Sequence, residues 1–264
     1  ALNDTSTIKN LTFDSAGYET VYVSLPRKEN VSFAKLNLSG YENWGYDSWY
    51  LDFSSRHTSP KGLSYSKLNY QNTLSSEYYF WIGYDGGLYN TKIYLWNESK
   101  DFWGYYSPWA QSWILDVSTN DTHYWILESY DDKIWEYNHS NGTYTGFSFS
   151  PCPPCNEPEG FYYNGSHFWV IDDNAIVYRF NKTGDYNSWN FDTSSEDNSM
   201  HDIYFDGTYF WALGKINKRV YKYNSDGTYT GYSFYVGNQE NNPFYIYGNG
   251  TYIWITGNSN KIYR

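Results

Sequence analysis

The chain has 264 residues, of which 23% are aromatic and 18% charged, and its formal net charge is −11 at pH 7. Such an acidic chain without a Lys/Arg cluster repels phosphate backbones, so we expect no nucleic-acid partner. No apolar run reaches the roughly 18 residues of a membrane span, so we expect no transmembrane segment, and the start at Ala1 without Met is consistent with a removed signal peptide.

The first 64 residues do not follow the repeat seen later in the chain. Two stretches, 19–25 and 31–38, alternate apolar and polar residues as strands do. Trp49 to Leu51 and Tyr65 to Leu68 predict a divergent first repeat over residues 41–70. The region 1–64 is therefore interpreted as N-terminal strands with either a divergent first repeat or a strand-exchange segment, ahead of five clear repeats in residues 65–264.

A ladder of Trp residues runs through the rest of the chain with spacings of 44, 44, 42 and 43 residues. A second aromatic column keeps step with it, each member inside a Lys-Ile-Tyr-like strand. A period in the forties with several short aromatic strands per unit is typical of a β-propeller, whose repeat is one four-stranded blade. The blade-core aromatics predicted in this way are Trp81, Trp125, Trp169, Trp211, Trp254, Tyr94, Trp135, Tyr178, Tyr221 and Tyr263.

The fold prediction is therefore all-β: a propeller of six blades, because 264 residues divided by the period gives about six. Each blade has four antiparallel strands, labelled A to D from the axis outward.

Cys152 and Cys155 lie in the Pro-rich loop SPCPPCN between two predicted strands. A redox Cys-x-x-Cys pair normally opens a helix within a βαβ unit, and no such unit can be read in this chain. We therefore predict a structural disulfide between them.

The clearest blade contains the strands Asp202–Phe205, Tyr209–Leu213, Arg219–Tyr223 and Tyr229–Phe234. Its sequence DGTYFW, followed by RVYKYN and DG, resembles the repeats of NHL-type and virginiamycin-lyase-like propellers over residues 77–264. That resemblance implies the fold but not the function, since such repeats occur in enzymes, adhesins and scaffolds. The Tyr- and Asn-rich composition also resembles surface or virus-encoded proteins of archaea.

The chain stops at Ile262-Tyr263-Arg264, within strand C of the last repeat, so that blade needs an outer strand from elsewhere. The N-terminal region can supply it, which would remove an exposed edge and lock the ring. The alternative is donation of that strand to a neighbouring molecule.

Eleven Asn-x-Ser/Thr sequons are candidate N-glycosylation sites, although Asn-Gly-Thr is also favourable turn chemistry. The seven beyond residue 90 fall in predicted A-to-B or C-to-D turns, which share one face of the disc. Glycans would coat that face and leave the opposite face bare. The eleven are Asn3, Asn10, Asn30, Asn37, Asn97, Asn120, Asn138, Asn141, Asn164, Asn181 and Asn249.

Catalysis would need acids, bases or metal ligands converging on the axis from several blades. His201, Glu159 and Gln111 fall near the starts of A strands on the bare face, and His201 is a general base by type. The lyase-like resemblance implies a His near the axis, but no recognised motif surrounds this one. We assign no catalytic residue.

Two acidic B-to-C turns, Asp131-Asp132 and Asp172-Asp173-Asn174, carry oxygen ligands of the kind that calcium prefers. Their spacing matches no calcium loop, and solvated hairpin turns explain them better. We assign no metal site and no cofactor.

These features predict an extracellular structural or adhesive surface glycoprotein, on a cell or a virion, that associates with itself or with other surface proteins. It would be a repeating subunit of a filament, coat or virion, with no enzyme activity. The first alternative is a glycan-binding, lectin-like propeller, because exposed Tyr and Trp stack on sugar rings. The second is a propeller lyase or hydrolase.

Overall fold

The fold is seen in a computed structural model that describes residues 45–56, 59–70, 73–84, 91–108 and 113–264. These residues contain β-strands and turns but no helix, and therefore no helix long and apolar enough to cross a membrane. The strands form five separate four-stranded antiparallel sheets. The predicted all-β propeller is confirmed, with five blades and not six.

Each blade runs from an inner strand at the axis to an outer strand at the rim. Blade 1 comprises β2 (Pro60–Tyr70), β3 (Thr73–Tyr84), β4 (Lys92–Asn97) and β5 (Phe102–Tyr106); blade 2 comprises β6 (Ile114–Thr119), β7 (His123–Glu128), β8 (Lys133–Asn138) and β9 (Tyr144–Phe149). Blade 3 comprises β10 (Pro158–Tyr163), β11 (His167–Asp172), β12 (Ile176–Asn181) and β13 (Tyr186–Asp192); blade 4 comprises β14 (Met200–Phe205), β15 (Tyr209–Gly214), β16 (Arg219–Asn224) and β17 (Tyr229–Tyr235). Blade 5 comprises β18 (Pro243–Gly248), β19 (Ile253–Gly257), β20 (Lys261–Tyr263) and β1 (Tyr50–Asp52).

The inner strands close a ring, because each packs against the inner strands of the two neighbouring blades and the fifth returns to the first. Six blades were expected because the chain length was divided by the period. The number is five because residues 45–56 add no blade of their own.

The outer strand of blade 5 comes from the start of the described chain. Strand β1 pairs antiparallel with β20, placing Tyr50 opposite Tyr263 and Leu51 opposite Ile262. The stretch Trp49 to Leu51 therefore belongs to the last blade and not to a first one. The ring closes within one chain, and the two earlier stretches proposed for this strand, 19–25 and 31–38, lie outside the described residues.

The core lies between the blades, where the side chains of neighbouring sheets interdigitate. All five Trp residues of the ladder lie in strand B of their blade and are at most 5% exposed. In the second column Tyr94, Tyr178 and Tyr221 are buried, whereas Trp135 and Tyr263 are half-buried. The period of the sequence thus corresponds to aromatic layers that join one blade to the next.

Candidate functional site

Blade 1 departs from the repeat at the end of the disc that carries the A-to-B turns. Its strands β2 and β3 have 11 and 12 residues, whereas the equivalent strands of blades 2 to 4 have six each. At about 3.3 Å per residue, the extra residues raise this hairpin about 15 Å above the other turns. The repeat does not require such an extension, so the end of the disc beside this hairpin is the candidate functional site.

A cavity of about 470 Å³ opens at the axis next to the raised hairpin. Blades 1, 2, 3 and 5 all contribute to its wall, and five of the twelve lining residues are Tyr. The lining consists of Tyr65, Ser66, Tyr78, Thr119, Asn120, Asp121, Thr122, Tyr162, Tyr163, Asn164, Gly165 and Tyr247. An aromatic wall interspersed with hydroxyl and amide groups suits a polar ligand that has apolar faces.

Ring–ring contacts hold four of these tyrosines in position as two pairs. The rings of Tyr65 and Tyr78 are stacked at 5.0 Å, with the Lys67 ammonium 5.4 Å from the Tyr78 ring. Tyr65 is buried, whereas Tyr78 remains 44% exposed at the cavity. Across the cavity the ring of Tyr162 lies 5.9 Å from that of Tyr247. Burial raises the pKa of Tyr162 and Tyr65, so both hydroxyls stay protonated at neutral pH.

The seven described sequons lie at this same end of the disc. Asn120, Asn164 and Asn249 begin A-to-B turns, and the first two also line the cavity. The other four, Asn97, Asn138, Asn141 and Asn181, lie at C-to-D turns. Asn3, Asn10, Asn30 and Asn37 lie outside the described residues.

At the opposite end, every inner strand contains a β-bulge at the same place. The register with strand B shifts between Pro60 and Leu63, Ile114 and Asp116, Pro158 and Gly160, Met200 and Asp202, and Pro243 and Tyr245. A bulge inserts one unpaired residue and re-aims its side chain. The residues just past the bulges, Gly62, Asp116, Gly160, Asp202 and Tyr245, meet inside the ring.

Asp116 and Asp202 occupy equivalent positions in blades 2 and 4, and each is 1% exposed. Asp116 accepts hydrogen bonds from the amides of Val117 (2.7 Å) and Phe161 (2.8 Å). Asp202 repeats this pattern with the amides of Ile203 (2.7 Å) and Ile246 (2.8 Å). Each carboxyl group therefore ties its blade to the following one.

The two carboxyl groups also hydrogen-bond each other, which requires a proton between them. Burial raises the pKa of both groups. The amide of Leu63 is a third donor to Asp116, whereas Asp202 has two amide donors. Because more backbone amides stabilise the anion of Asp116, Asp202 holds its proton to higher pH and donates it to Asp116.

Of the three residues considered for catalysis, the structure brings two together. His201 Nδ1 lies 3.3 Å from Glu159 Oε2 at the end of the axis opposite the cavity. Gln111 lies outside the described residues. Neither His201 nor Glu159 lines the cavity.

In the acidic B-to-C turns, carboxylate oxygens already bond to groups of the protein itself. Both oxygens of Asp172 accept from backbone amides, namely those of Asn174, Ile176 and Asn156. Asp131 pairs with the Lys133 ammonium at 3.3 Å. Within the part of the chain that the structure describes, no group of three or more His, Cys, Asp or Glu side chains is arranged to hold a metal ion.

The predicted disulfide between Cys152 and Cys155 is confirmed. It lies in the connection from β9 to β10, at the end of the disc away from the cavity. Cys155 is buried against blade 3, so the bridge anchors this connection to the core.

Comparisons with known proteins support the fold alone. No family model and no curated protein matches the chain, so the resemblance to NHL-type and virginiamycin-lyase-like repeats stays a prediction. The crystal structure of a glutaminyl cyclase from Myxococcus xanthus matches 81% of this chain and 92% of its own, with a TM-score of 0.61 and 9% identity. BamB from Moraxella catarrhalis matches 54% of this chain and 39% of its own, with a TM-score of 0.36 and 11% identity, too weak a likeness to carry an argument.

Proposed function

We propose that this propeller is an extracellular surface glycoprotein that binds a saccharide in the tyrosine-lined cavity. The observation that carries the proposal is the raised hairpin of blade 1, which adds Tyr78 to an axial cavity of about 470 Å³. Pyranose rings combine apolar faces with hydroxyl edges. They therefore suit a wall where Tyr rings alternate with amide and hydroxyl groups.

The composition of the cavity favours binding over chemistry. General acid–base catalysis needs groups that take up and release protons next to the substrate. Among the lining residues that the structure describes, Asp121 is the one carboxylic acid, and there is no His. The glutaminyl cyclase with the same fold is an enzyme, but at 9% identity its activity does not transfer to this chain.

An extracellular location is part of the proposal. The disulfide and the sequons at the cavity end support it, since both features are typical of exported proteins. We further propose that saccharide binding serves adhesion, either between copies of a coat or filament subunit or to another glycosylated surface. The closing strand of blade 5 belongs to the same chain, so the proposed adhesion does not depend on strand donation.

Tyr78→Ala tests the binding site most directly. The full chain is screened on a glycan array, and the best saccharide is titrated by calorimetry against the wild type and the variant. We expect roughly a five- to tenfold loss of affinity, since an aromatic stacking contact contributes about 1 to 1.5 kcal/mol. Tyr130→Ala is the matched control, because Tyr130 is 75% exposed and lies in a B-to-C turn at the other end of the disc. Absence of any array signal, or equal affinity of both variants and the wild type, would overturn the proposal.

A further inference from the structure

The bulges place one residue from each blade at the end of the axis opposite the cavity, and the five residues differ in chemistry. The architecture requires a bulge at each position but not a particular side chain, so the chemistry of these residues is informative. Blades 2 and 5 contribute apolar groups, and the other three contribute ionisable ones. The five are Lys61, Leu115, Glu159, His201 and Phe244.

At this end of the axis, called the mouth below, His201 is the middle member of a row of three ionisable side chains, Glu159, His201 and Lys215. Its Nδ1 lies 3.3 Å from Glu159 Oε2, and its Nε2 lies 3.1 Å from the Lys215 ammonium. Burial, with Lys215 and Lys61 nearby, lowers the pKa of His201 to about 4, so the imidazole is neutral at pH 7. A neutral ring in this setting donates Nδ1–H to Glu159 and accepts from Lys215 at Nε2. The side chains of His201 and Glu159 are 14% and 32% exposed, so this row of side chains can be reached from solvent.

The two ends of this row, Lys215 and Glu159, can each form further hydrogen bonds. The Lys215 ammonium lies over the Phe244 ring at 4.6 Å, and no carboxylate of the described residues is within 4.0 Å of it. At the other end, the structure gives Glu159 one polar contact, through Oε2 to the imidazole. Among the described residues, Lys215 therefore has no direct carboxylate contact, and Glu159 has no direct contact with a cationic side chain, although Lys215 and Lys61 act on it from a distance.

The spacing of these two groups matches one class of ligand. Glu159 Oε2 and Lys215 Nζ lie on opposite edges of the imidazole, so they are roughly 7 to 8 Å apart. The ammonium and carboxylate of an α-amino acid, each adding a charge-assisted hydrogen bond of about 2.8 Å, span a similar distance. We propose that this mouth is a second ligand site, which binds a free α-amino acid with its ammonium on Glu159 and its carboxylate on Lys215.

The test is calorimetric titration of the full chain with the common α-amino acids, followed by blocked forms of the best one. We expect the N-acetyl and the carboxamide derivatives each to lose at least tenfold in affinity, because each removes one charge. Glu159→Gln and Lys215→Met should cause losses of the same size. Glu159→Gln keeps an oxygen acceptor for His201 and removes only the charge.

Lys218→Met is the control, because Lys218 lies in the same turn but bonds to Asn241 and not to the mouth. It should leave the affinity unchanged, and thermal unfolding of each variant shows whether the fold is kept. The proposal would be overturned if no amino acid gave a heat of binding up to about 10 mM. It would also be overturned if the blocked forms bound as tightly as the free amino acid, or if Glu159→Gln and Lys215→Met both kept the wild-type affinity. None of these outcomes bears on the saccharide site, which lies at the other end of the axis.

Discussion

The carboxyl groups of Asp116 and Asp202 hydrogen-bond each other inside the ring, although their strands belong to blades 2 and 4. They meet because the equivalent position of the intervening blade 3 is Gly160, which has no side chain to separate them. Two buried carboxyl groups in contact keep at least one proton at neutral pH, since two adjacent negative charges are too costly to bury.

This pair predicts a decline in stability at alkaline pH. The pKa of Asp202 is raised in the folded state, so between its unfolded value and its raised value the folded chain binds more protons than the unfolded chain. The free energy of unfolding therefore falls as pH rises through this window, by up to about 1.4 kcal/mol per pH unit for one proton. His201, whose pKa is lowered to about 4, acts in the opposite sense, but only below about pH 6.5.

Urea unfolding at pH 7, 8 and 9 measures the effect of the pair without the contribution of His201. We expect the wild type to lose stability over this range and Asp202→Asn to lose less, because the variant keeps only the titration of Asp116, whose pKa burial raises to about 8. Asp116→Asn should be the more destabilising of the two at pH 7, since more backbone amides donate to Asp116. Equal pH slopes in the wild type and Asp202→Asn would contradict the shared proton.

Gly160→Ala should destabilise the ring without any strain from the backbone angle. A Cβ at this position would lie 2.5 Å from the His201 carbonyl oxygen and 2.7 Å from Asp202 Oδ1, so two blades would have to move apart. We expect a loss of about 2 to 3 kcal/mol in the free energy of unfolding. The control is Gly207→Ala, where a Cβ meets open space and only the positive φ of 98° is unfavourable, by about 1 kcal/mol. If Gly207→Ala proves the more damaging change, close packing at Gly160 does not limit stability.

Leu51→Ala tests whether the strand Tyr50–Asp52 closes the ring. Leu51 is 1% exposed and packs with Phe53, Phe80, Trp254 and Ile262 between blades 5 and 1. Removing a fully buried Leu side chain costs about 2 to 5 kcal/mol, which should be measurable by thermal or urea unfolding. The neighbouring Tyr50→Ala, at a side chain that is 40% exposed, should change stability by less than about 1 kcal/mol. A Leu51→Ala protein as stable as the wild type would mean that another segment closes blade 5.

The strands that recur with the repeat could be predicted from the sequence, whereas the features that occur only once in the chain could not. The Trp ladder marks strand B of every blade because aromatic residues recur wherever two sheets pack. The closing strand escaped recognition because it is three residues long and pairs with β20, at the far end of the chain. The cavity depends on a local lengthening of one hairpin, which gives no repeating signal.

A signal for the buried pair was nevertheless present. Asp116 and Asp202 each follow the first residues of an inner strand and precede a β-branched residue, and they are 86 residues apart, which is two periods of 43. An acidic residue that recurs at the repeat length inside an apolar strand indicates a buried, hydrogen-bonded carboxyl group. The contact between Glu159 and His201 has no such signal, because only the ring geometry brings the bulges of different blades together.

The described sequons differ in whether the Nδ2 of their Asn is already hydrogen-bonded to the protein. Attachment replaces one of the two hydrogens of Nδ2 and places a sugar beside it, so an Nδ2 already bonded to the protein has one donor fewer and less room than a free one. Nδ2 is bonded in three of the described sequons: in Asn97 to Glu77 and Asp101, in Asn138 to Thr143, and in Asn181 to Asp185. In the other four, Asn120, Asn141, Asn164 and Asn249, the turn uses only Oδ1, which accepts from backbone amides.

We therefore expect higher occupancy at the second group, measured by glycopeptide mass spectrometry of the native protein. Asn138 and Asn141 are a matched pair within a single turn, so their ratio is the sharpest readout. Glycans on Asn120 and Asn164 would stand at the rim of the cavity, so the same measurement shows whether the proposed saccharide site is open in the native molecule. Equal or higher occupancy at Asn97, Asn138 and Asn181 would mean that the hydrogen bonds of the folded turns do not govern modification.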